Sequence, residues 1–332
     1  DDPSVPSSPG ALVEDPLADF IAEQARLILQ QPGIRPTDDL FAVGLDSLAA
    51  AELCGRIADA GLPRPAPTLL IHHRTPLQLA DRIRSGWRQS NSTVVRVGQP
   101  HLPPMFFVPG GGSTALFIND VASFLGDRLR VVTVEPRGLH TDERRDHSVR
   151  RMASRVTEAI RAEGVTGPVA LCGHSSGGVI AYEAAQQLVA QGHTVRLLLL
   201  DSRFLGNDGP PVFRWLCVWG NAVLRRARRL RHFIGGGAAE TPATTQPTTR
   251  LTRYYERSMT VAWRATRRYR ARRTSAELRC LHVAGFCGAC ALSIPGNRGT
   301  CLQIGGEHRT LARPQHLAAW APEAADWLLG EA

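Results

Sequence analysis

Apolar residues recur at intervals of three and four through the first quarter of the chain. From residue 105 onward they gather instead into short runs separated by amphipathic stretches. The first pattern marks one buried face of a helix, the second marks buried strands. Leu17, Phe20, Ile21, Ala25 and Ile28 share a helical face behind Asp15 and Pro16, a cap followed by a first-turn proline. A second helix is expected to start at Asp46 or Ser47, to point Ala50, Leu53, Ile57 and Ala60 inward, and to end at Gly61. A third begins at Thr75 with Leu77, Leu79, Ile83 and Trp87 on one side, and a short helix lies near 68–72. Together these predict a small four-helix bundle.

The strand candidates that follow are MFFVP, RVVTVEP, PVALCG, TVRLLLLD, LRCLHVAG and CLQIGG. Helical stretches separate them, such as 148–163 with Met152, Val156 and Ile160 in register. Strands alternating with helices predict a mostly parallel sheet covered on both faces. The rhythm breaks once, between Asp201 and about Leu278, where no strand is expected. An insertion of that length usually caps a site.

Pro, Ser and Gly dominate residues 1–10, and a polar stretch runs from 88 to 104. We therefore expect a linker over 1–11, a helical domain over 12–88, a linker over 89–101, and an α/β domain over 102–332 with a lid at about 202–277. With 332 residues, 43% apolar and 21% charged, the chain has the composition of a globular protein of two domains. Its opening DDPSVPSSPG lacks an initiator Met, as expected of a module from a longer protein. The central run LLLL at 197–200 falls far short of the roughly 20 residues that span a bilayer, and no signal pattern opens the chain. A cytoplasmic location and no membrane partner are expected.

Charge changes the picture only once it is located. All 39 basic residues are Arg; 16 of them fall in 202–273 beside three acids, so that segment carries +13 while residues 1–90 carry −4. Five of these arginines lie between 225 and 231, on a stretch whose Val223, Ala227, Leu230 and Ile234 share one helical face. A solvated basic face over an apolar underside is the plain reading. Attraction of the acidic helical domain or of an anionic acyl chain is the functional one. No aromatic stacking pattern accompanies the arginines, so nucleic acid is not expected as a partner. Seven cysteines are scattered through the chain. Cys287 and Cys290 have zinc-site spacing, with Cys280 and Cys301 nearby, but no compact second pair follows. Reduced structural cysteines, and no metal, are expected.

GHSSGG at 173–178 follows the strand PVALC and precedes a helix. That is the setting in which G-x-S-x-G forms a nucleophile elbow, with Gly173 and Gly177 relieving crowding and Ser175 presented above the sheet. A serine hydroxyl needs a base oriented by a carboxylate, and α/β-hydrolases supply them in the order Ser, Asp, His. Asp201 ends the next strand. His308 is the histidine after Asp201 that stands at a strand-to-helix crossing, whereas His282 lies inside a strand, His316 in a helix start and His232 in the insert. Ser175 is thus the candidate nucleophile, His308 the base and Asp201 its orienting partner. Backbone N–H groups of Ser176 and of Gly110 or Gly111, in VPGGGS, are candidate oxyanion donors. That loop lacks the Lys and spacing of a phosphate-binding loop.

These motifs, with FAVGLDSLAAAELCGRI and TLLIHHRTPLQLADRI, make the whole chain recognisable. Residues 12–88 resemble a phosphopantetheine carrier domain. Residues 102–332 resemble the type I thioesterase domain that ends polyketide and nonribosomal peptide synthetases, through FFVPGGGS, VEPRGL, CGHSSGGVIAYEAAQQL, LLLLDS and GGEHRTL. The resemblance implies an α/β-hydrolase with a helical lid insertion, preceded by a small four-helix carrier-protein bundle. It implies 4'-phosphopantetheine attached to Ser47 by a phosphopantetheinyl transferase, upstream synthetase modules as partners, and a carrier-bound acyl or peptidyl chain transferred to Ser175. Ser47 opens a helix, whose N-terminus favours a phosphodiester; a simple N-cap is the bland alternative. GLDSL looks more like polyketide carriers, whereas GHSSGG looks closer to peptide-synthetase releasing domains. The competing reading is a serine esterase for free substrates fused to a helical docking domain.

Overall fold

The computed structural model describes residues 15–86, 93–111, 113–139, 143–205, 207, 250–283, 290–308 and 310–331, with backbone alone for Leu48 and 250–254. The chain divides into two compact units, Asp1–Ser90 and Asn91–Ala332.

In the first unit, helix α1 (Pro16–Leu29) starts where the Asp15 side chain accepts from the N–H groups of Leu17 and Ala18. Helix α2 spans Ser47–Asp59, a 3-10 turn spans Pro67–Ile71, and α3 (Pro76–Arg84) opens on a reciprocal capping box between Thr75 and Gln78. Ile21, Leu40, Leu53, Ile57, Leu70 and Leu79 are fully buried between them. Each such side chain contributes about 1.5–3 kcal/mol. Ala60, expected inside, is exposed: α2 ends at Asp59, and Gly61, at φ +81°, turns the chain away. Trp87 lies outside the described residues.

The second unit is a seven-stranded sheet in the order β1-β3-β2-β4-β5-β6-β7. Its strands are β1 (Val94–Val97), β2 (Pro104–Val108), β3 (Arg130–Val134), β4 (Val169–His174), β5 (Val195–Leu200), β6 (Glu277–His282) and β7 (Gly299–Gln303). All pairs are parallel except β1 with β3. Strand β1 falls inside the stretch 89–101 expected to be linker; four residues paired along one edge of β3 leave little periodicity to read. Helices α4 (Asn119–Phe124), α5 (Val149–Ala162), α6 (Ser176–Val189), α7 (Arg250–Arg268), α8 (Pro314–Leu317) and α9 (Ala321–Leu329) accompany the sheet.

Successive strand residues serve opposite faces. Phe106, Val132, Leu171, Leu197 and Leu199 join one core with Val156, Ile160 and Tyr182, whereas Phe107, Val131, Cys172, Leu198 and Leu200 join the other with Leu317, Trp320 and Leu328. That is why these strands read as continuous apolar runs. The chain leaves β2 for β3 on one side and returns to β4 on the other. Such a switch opens a crevice beyond the C-terminal strand ends. The expected insertion contributes α7 to this end; the arginine cluster at 225–231 lies outside the described residues.

Candidate active site

Ser175 occupies a turn that few residues would accept. Its backbone sits at φ +55° and ψ −125°, between the last residue of β4 and the first of α6. The Ser175 N–H donates to the Leu200 carbonyl at 2.9 Å, tying the turn to β5. Three glycines make the turn possible. A Cβ on Gly173 would lie 2.6 Å from the Gly178 Cα, one on Gly177 2.3 Å from the Pro109 carbonyl oxygen, and one on Gly178 1.9 Å from the Ser202 Oγ. Strain of this kind persists only where the surroundings over-determine it.

Asp201, also at positive φ (+46°), directly follows β5 and is 1% exposed. Its N–H donates to the Leu281 carbonyl at 2.7 Å, and its Oδ1 accepts from the Val283 N–H at 3.3 Å. Its Oδ2 meets His308 Nδ1. His308 Nε2 lies 3.0 Å from Ser175 Oγ. Residues from the ends of β4 and β5 and from the loop after β7 thus form one relay from carboxylate to imidazole to hydroxyl. It can deprotonate Ser175 and hold the resulting imidazolium beside a buried carboxylate.

Two further residues hold this arrangement and were not legible in the sequence. His174, 3% exposed, donates from Nε2 to the His308 carbonyl at 3.0 Å. Its ring stacks on Phe117 with centroids 4.2 Å apart and lies 4.8 Å from the His308 ring. Burial, followed by repulsion from His308, pushes its pKa down to about 3, so it stays neutral beside the His308 ring. Its Nδ1 is buried with no hydrogen-bond partner among the described residues. Glu135, buried at the end of β3, accepts from the Ala115 N–H at 2.7 Å and so anchors the loop after β2. A histidine inside G-H-S and a glutamate after a strand carry no distinctive spacing, so only contacts reveal them.

The loop after β2 runs against the elbow. A Cβ on Gly110 would meet Ser175 Cβ at 3.2 Å, and one on Gly111 would meet Ala262 Cβ of α7 at 2.9 Å. The Gly111 N–H donates to the Ser176 Oγ at 2.6 Å. Two of the candidate oxyanion residues, Gly111 and Ser176, are therefore bonded to one another, and a side chain on the third, Gly110, would crowd Ser175. Beside Gly111 opens a cleft lined by Val134, Val156 and Ile180 and by Val261 and Ala262 of α7.

In the helical unit Ser47 is the first residue of α2 and is half-exposed. The cap is Asp46, whose Oδ1 accepts from the Ala49 N–H at 2.9 Å. Ser47 is not needed for capping, so its hydroxyl suits esterification by a phosphodiester at the electropositive end of a helix.

Family models match both units. One described as a phosphopantetheine attachment site covers residues 16–83, and one described as a thioesterase domain covers 103–202. The chain is a carrier–thioesterase didomain. The carrier domain is the phosphopantetheine-bearing type, and the second domain is a thioesterase of α/β-hydrolase fold. The didomain is 30% identical over 165 residues to the nonribosomal peptide synthetase apvA of Aspergillus terreus, which covers 48% of this chain and 18% of that relative. It is 29% identical over 182 residues to indigoidine synthase of Dickeya dadantii, covering 53% of this chain and 12% of the relative. The didomain spans less than a fifth of the length of either. Among solved structures, the NocB thioesterase domain in covalent complex with a fluorophosphonate nocardicin G analog aligns with TM-score 0.53 and 22% identity, covering 72% of this chain and 100% of that one. A four-domain nonribosomal peptide synthetase, holo-AB3403, aligns with TM-score 0.57 and 19% identity over 99% of this chain and 27% of its own. At such identities the likeness is one of fold. The thioesterase match ends at Ser202, so His308 is tied to the site by geometry. No helix among the described residues is long and apolar enough to cross a membrane.

Proposed function

We propose that the didomain releases an acyl or peptidyl chain, carried as a thioester on the Ser47 arm, by way of an ester on Ser175. The observation that carries this reading is the relay with 3.0 Å between His308 Nε2 and Ser175 Oγ, on a chain that also holds a carrier domain. When bound, 4'-phosphopantetheine supplies a thiol on a flexible arm. Ser175 Oγ attacks the thioester carbonyl as His308 takes its proton, and Asp201 holds the imidazole in the Nδ1–H tautomer and stabilises its charged form. His308 then protonates the leaving sulfur. Water, or a nucleophile within the acyl chain, attacks the ester in turn and yields an acid or a ring.

The oxyanion would be met by the Ser176 N–H and by the loop at Gly110 and Gly111. Because the Gly111 N–H rests on Ser176 Oγ, it has to exchange that contact for the oxyanion, and each such donor is worth about 10²–10³ in rate. The mainly apolar cleft beside Gly111, bordered by Val134, Val156, Ile180 and Ala262, is the proposed seat of the acyl chain. The relatives' names support upstream peptide-synthetase modules as partners, with a phosphopantetheinyl transferase to load Ser47. The five described cysteines are all thiols, which favours the cytoplasm.

Intact-protein mass after treatment with coenzyme A and a phosphopantetheinyl transferase tests the reading. A gain that disappears in Ser47→Ala is expected, followed, with acylated coenzyme A, by release of the acyl group that stops in Ser175→Ala. No gain, a gain that survives Ser47→Ala, or turnover confined to free esters would favour the esterase with a docking domain.

A further inference from the structure

Cys280, Cys290 and Cys301 converge near the outer edge of the sheet. The β6–β7 register places Cys280 opposite Cys301. The chain between those strands brings in Cys290 just before a 3-10 turn, Ala291–Ser293. The sulfurs of Cys290 and Cys301 lie 3.9 Å apart. Cys280 is buried, whereas Cys290 and Cys301 are half-buried, and none is in a disulfide.

The three thiols are not equivalent. Cys290 is pulled below the usual thiol range, first by the hydrogen bond from Cys280 and then by the Leu292 N–H and Cys301, with burial opposing. Cys280 is pushed the other way by the same hydrogen bond and by burial. The enclosed sulfur is thus the one that holds its proton more tightly, and the sulfur that solvent reaches is the one that yields it more readily. A thiolate with access is the reactive form of cysteine.

We propose that Cys290 and Cys301 form a reversible dithiol–disulfide pair, with Cys290 as the attacking thiol, Cys301 as the resolving thiol and a hydroperoxide as oxidant. The Cys290 thiolate attacks the peroxide oxygen, the O–O bond breaks, and the departing oxygen leaves as water or alcohol after taking a proton. Cys290 becomes a sulfenic acid. The Cys301 sulfur then attacks the Cys290 sulfur, the S–O bond breaks, and hydroxide leaves with the Cys301 proton as water. Two electrons have passed from the two thiols to the peroxide. Closing the gap needs a movement of about 2 Å to reach bonding distance, which an edge strand and a short turn can absorb. Strand β7 runs on into the loop that carries His308, so the bond would form on the strand that delivers the proposed base.

The test uses the full chain, reduced and freed of reductant, then treated with hydrogen peroxide and mapped by mass without reduction. A peptide linking Cys290 to Cys301, lighter by two hydrogens and restored by dithiothreitol, is expected. Cys301→Ser should instead trap a sulfenic acid on Cys290 that dimedone captures. In the unmutated protein at mildly acidic pH, iodoacetamide should label Cys290 ahead of Cys301, a readout independent of how variants fold. A bridge that maps to Cys280 or Cys287, equal labelling of Cys290 and Cys301, or thiols left intact under peroxide that oxidises free cysteine in the same tube would overturn the assignment.

Discussion

Ser47 and Ser175 each stand at the N-terminal end of a helix, and the two regions around them are built in opposite ways. Ser175 sits at φ +55°, walled in by glycines whose added Cβ atoms would fall within 1.9–2.6 Å of their neighbours, with His308 Nε2 3.0 Å from its hydroxyl. Ser47 has ordinary backbone, is half-exposed, and leaves capping to Asp46. A nucleophile needs its base and its oxyanion donors fixed to a fraction of an ångström, so the fold accepts strain there. An attachment point needs only exposure and a helix end that favours phosphate. Under the proposed function the same residue type serves chemistry in one domain and delivery in the other, according to how tightly its surroundings hold it.

The comparison is broken most strongly at the relay. Ser175→Ala should lower thioester turnover by at least about 10⁴-fold while Ser47 still gains the mass of its arm, as read by single-turnover kinetics and intact mass. Asp201→Asn should cost about 10⁴-fold with little change in fold, since the imidazole loses the partner that sets its tautomer. Its measure is kcat beside an unchanged far-UV spectrum.

His174 sharpens the contrast. His174→Gln should reduce kcat by about 10–100-fold through misplacement of His308, with a smaller effect on KM. It should also flatten the acid limb of stability. A histidine with an ordinary pKa of 6.5 that is held at about 3 in the folded protein gains its proton on unfolding anywhere between those values. Unfolding is therefore favoured as pH falls from 6.5 towards 3, by about 1.4 kcal/mol per unit, and thermal melts across that window should show less slope in the variant. Gly178→Ala should destabilise the second domain by about 1–3 kcal/mol by pressing on Ser202, with recovery in the double variant that adds Ser202→Gly. The smallest effect is expected at the carrier, where Asp46→Ala should cost about 1 kcal/mol of helix stability, seen as faster amide exchange at Ala49.

Much of this molecule is legible one residue at a time. Runs such as VRLLLL at 195–200 read as strands buried on both faces, and the order Ser175, Asp201, His308 follows from which strands are followed by which polar residues. Strand β1 was hidden because an antiparallel edge strand of four residues takes its meaning from its partner. Ala60 was misplaced because periodicity continues past the point where a left-handed glycine stops the helix.

The sequence by itself determined the two domains, the alternation of strands and helices, the turn that raises Ser175 and the serine that opens α2. These depend on local spacing and on the short-range sterics of glycine and proline, which a chain carries wherever it folds. Only the tertiary structure decided that His174 grips the His308 backbone, that Glu135 holds the loop after β2, that the Gly111 N–H rests on Ser176, and that three cysteines from separate segments meet. Those pairings join residues as near in the chain as Cys290 and Cys301, 11 apart, and as far as His174 and His308, 134 apart, and nothing in linear spacing sets a distance until the sheet brings the segments side by side.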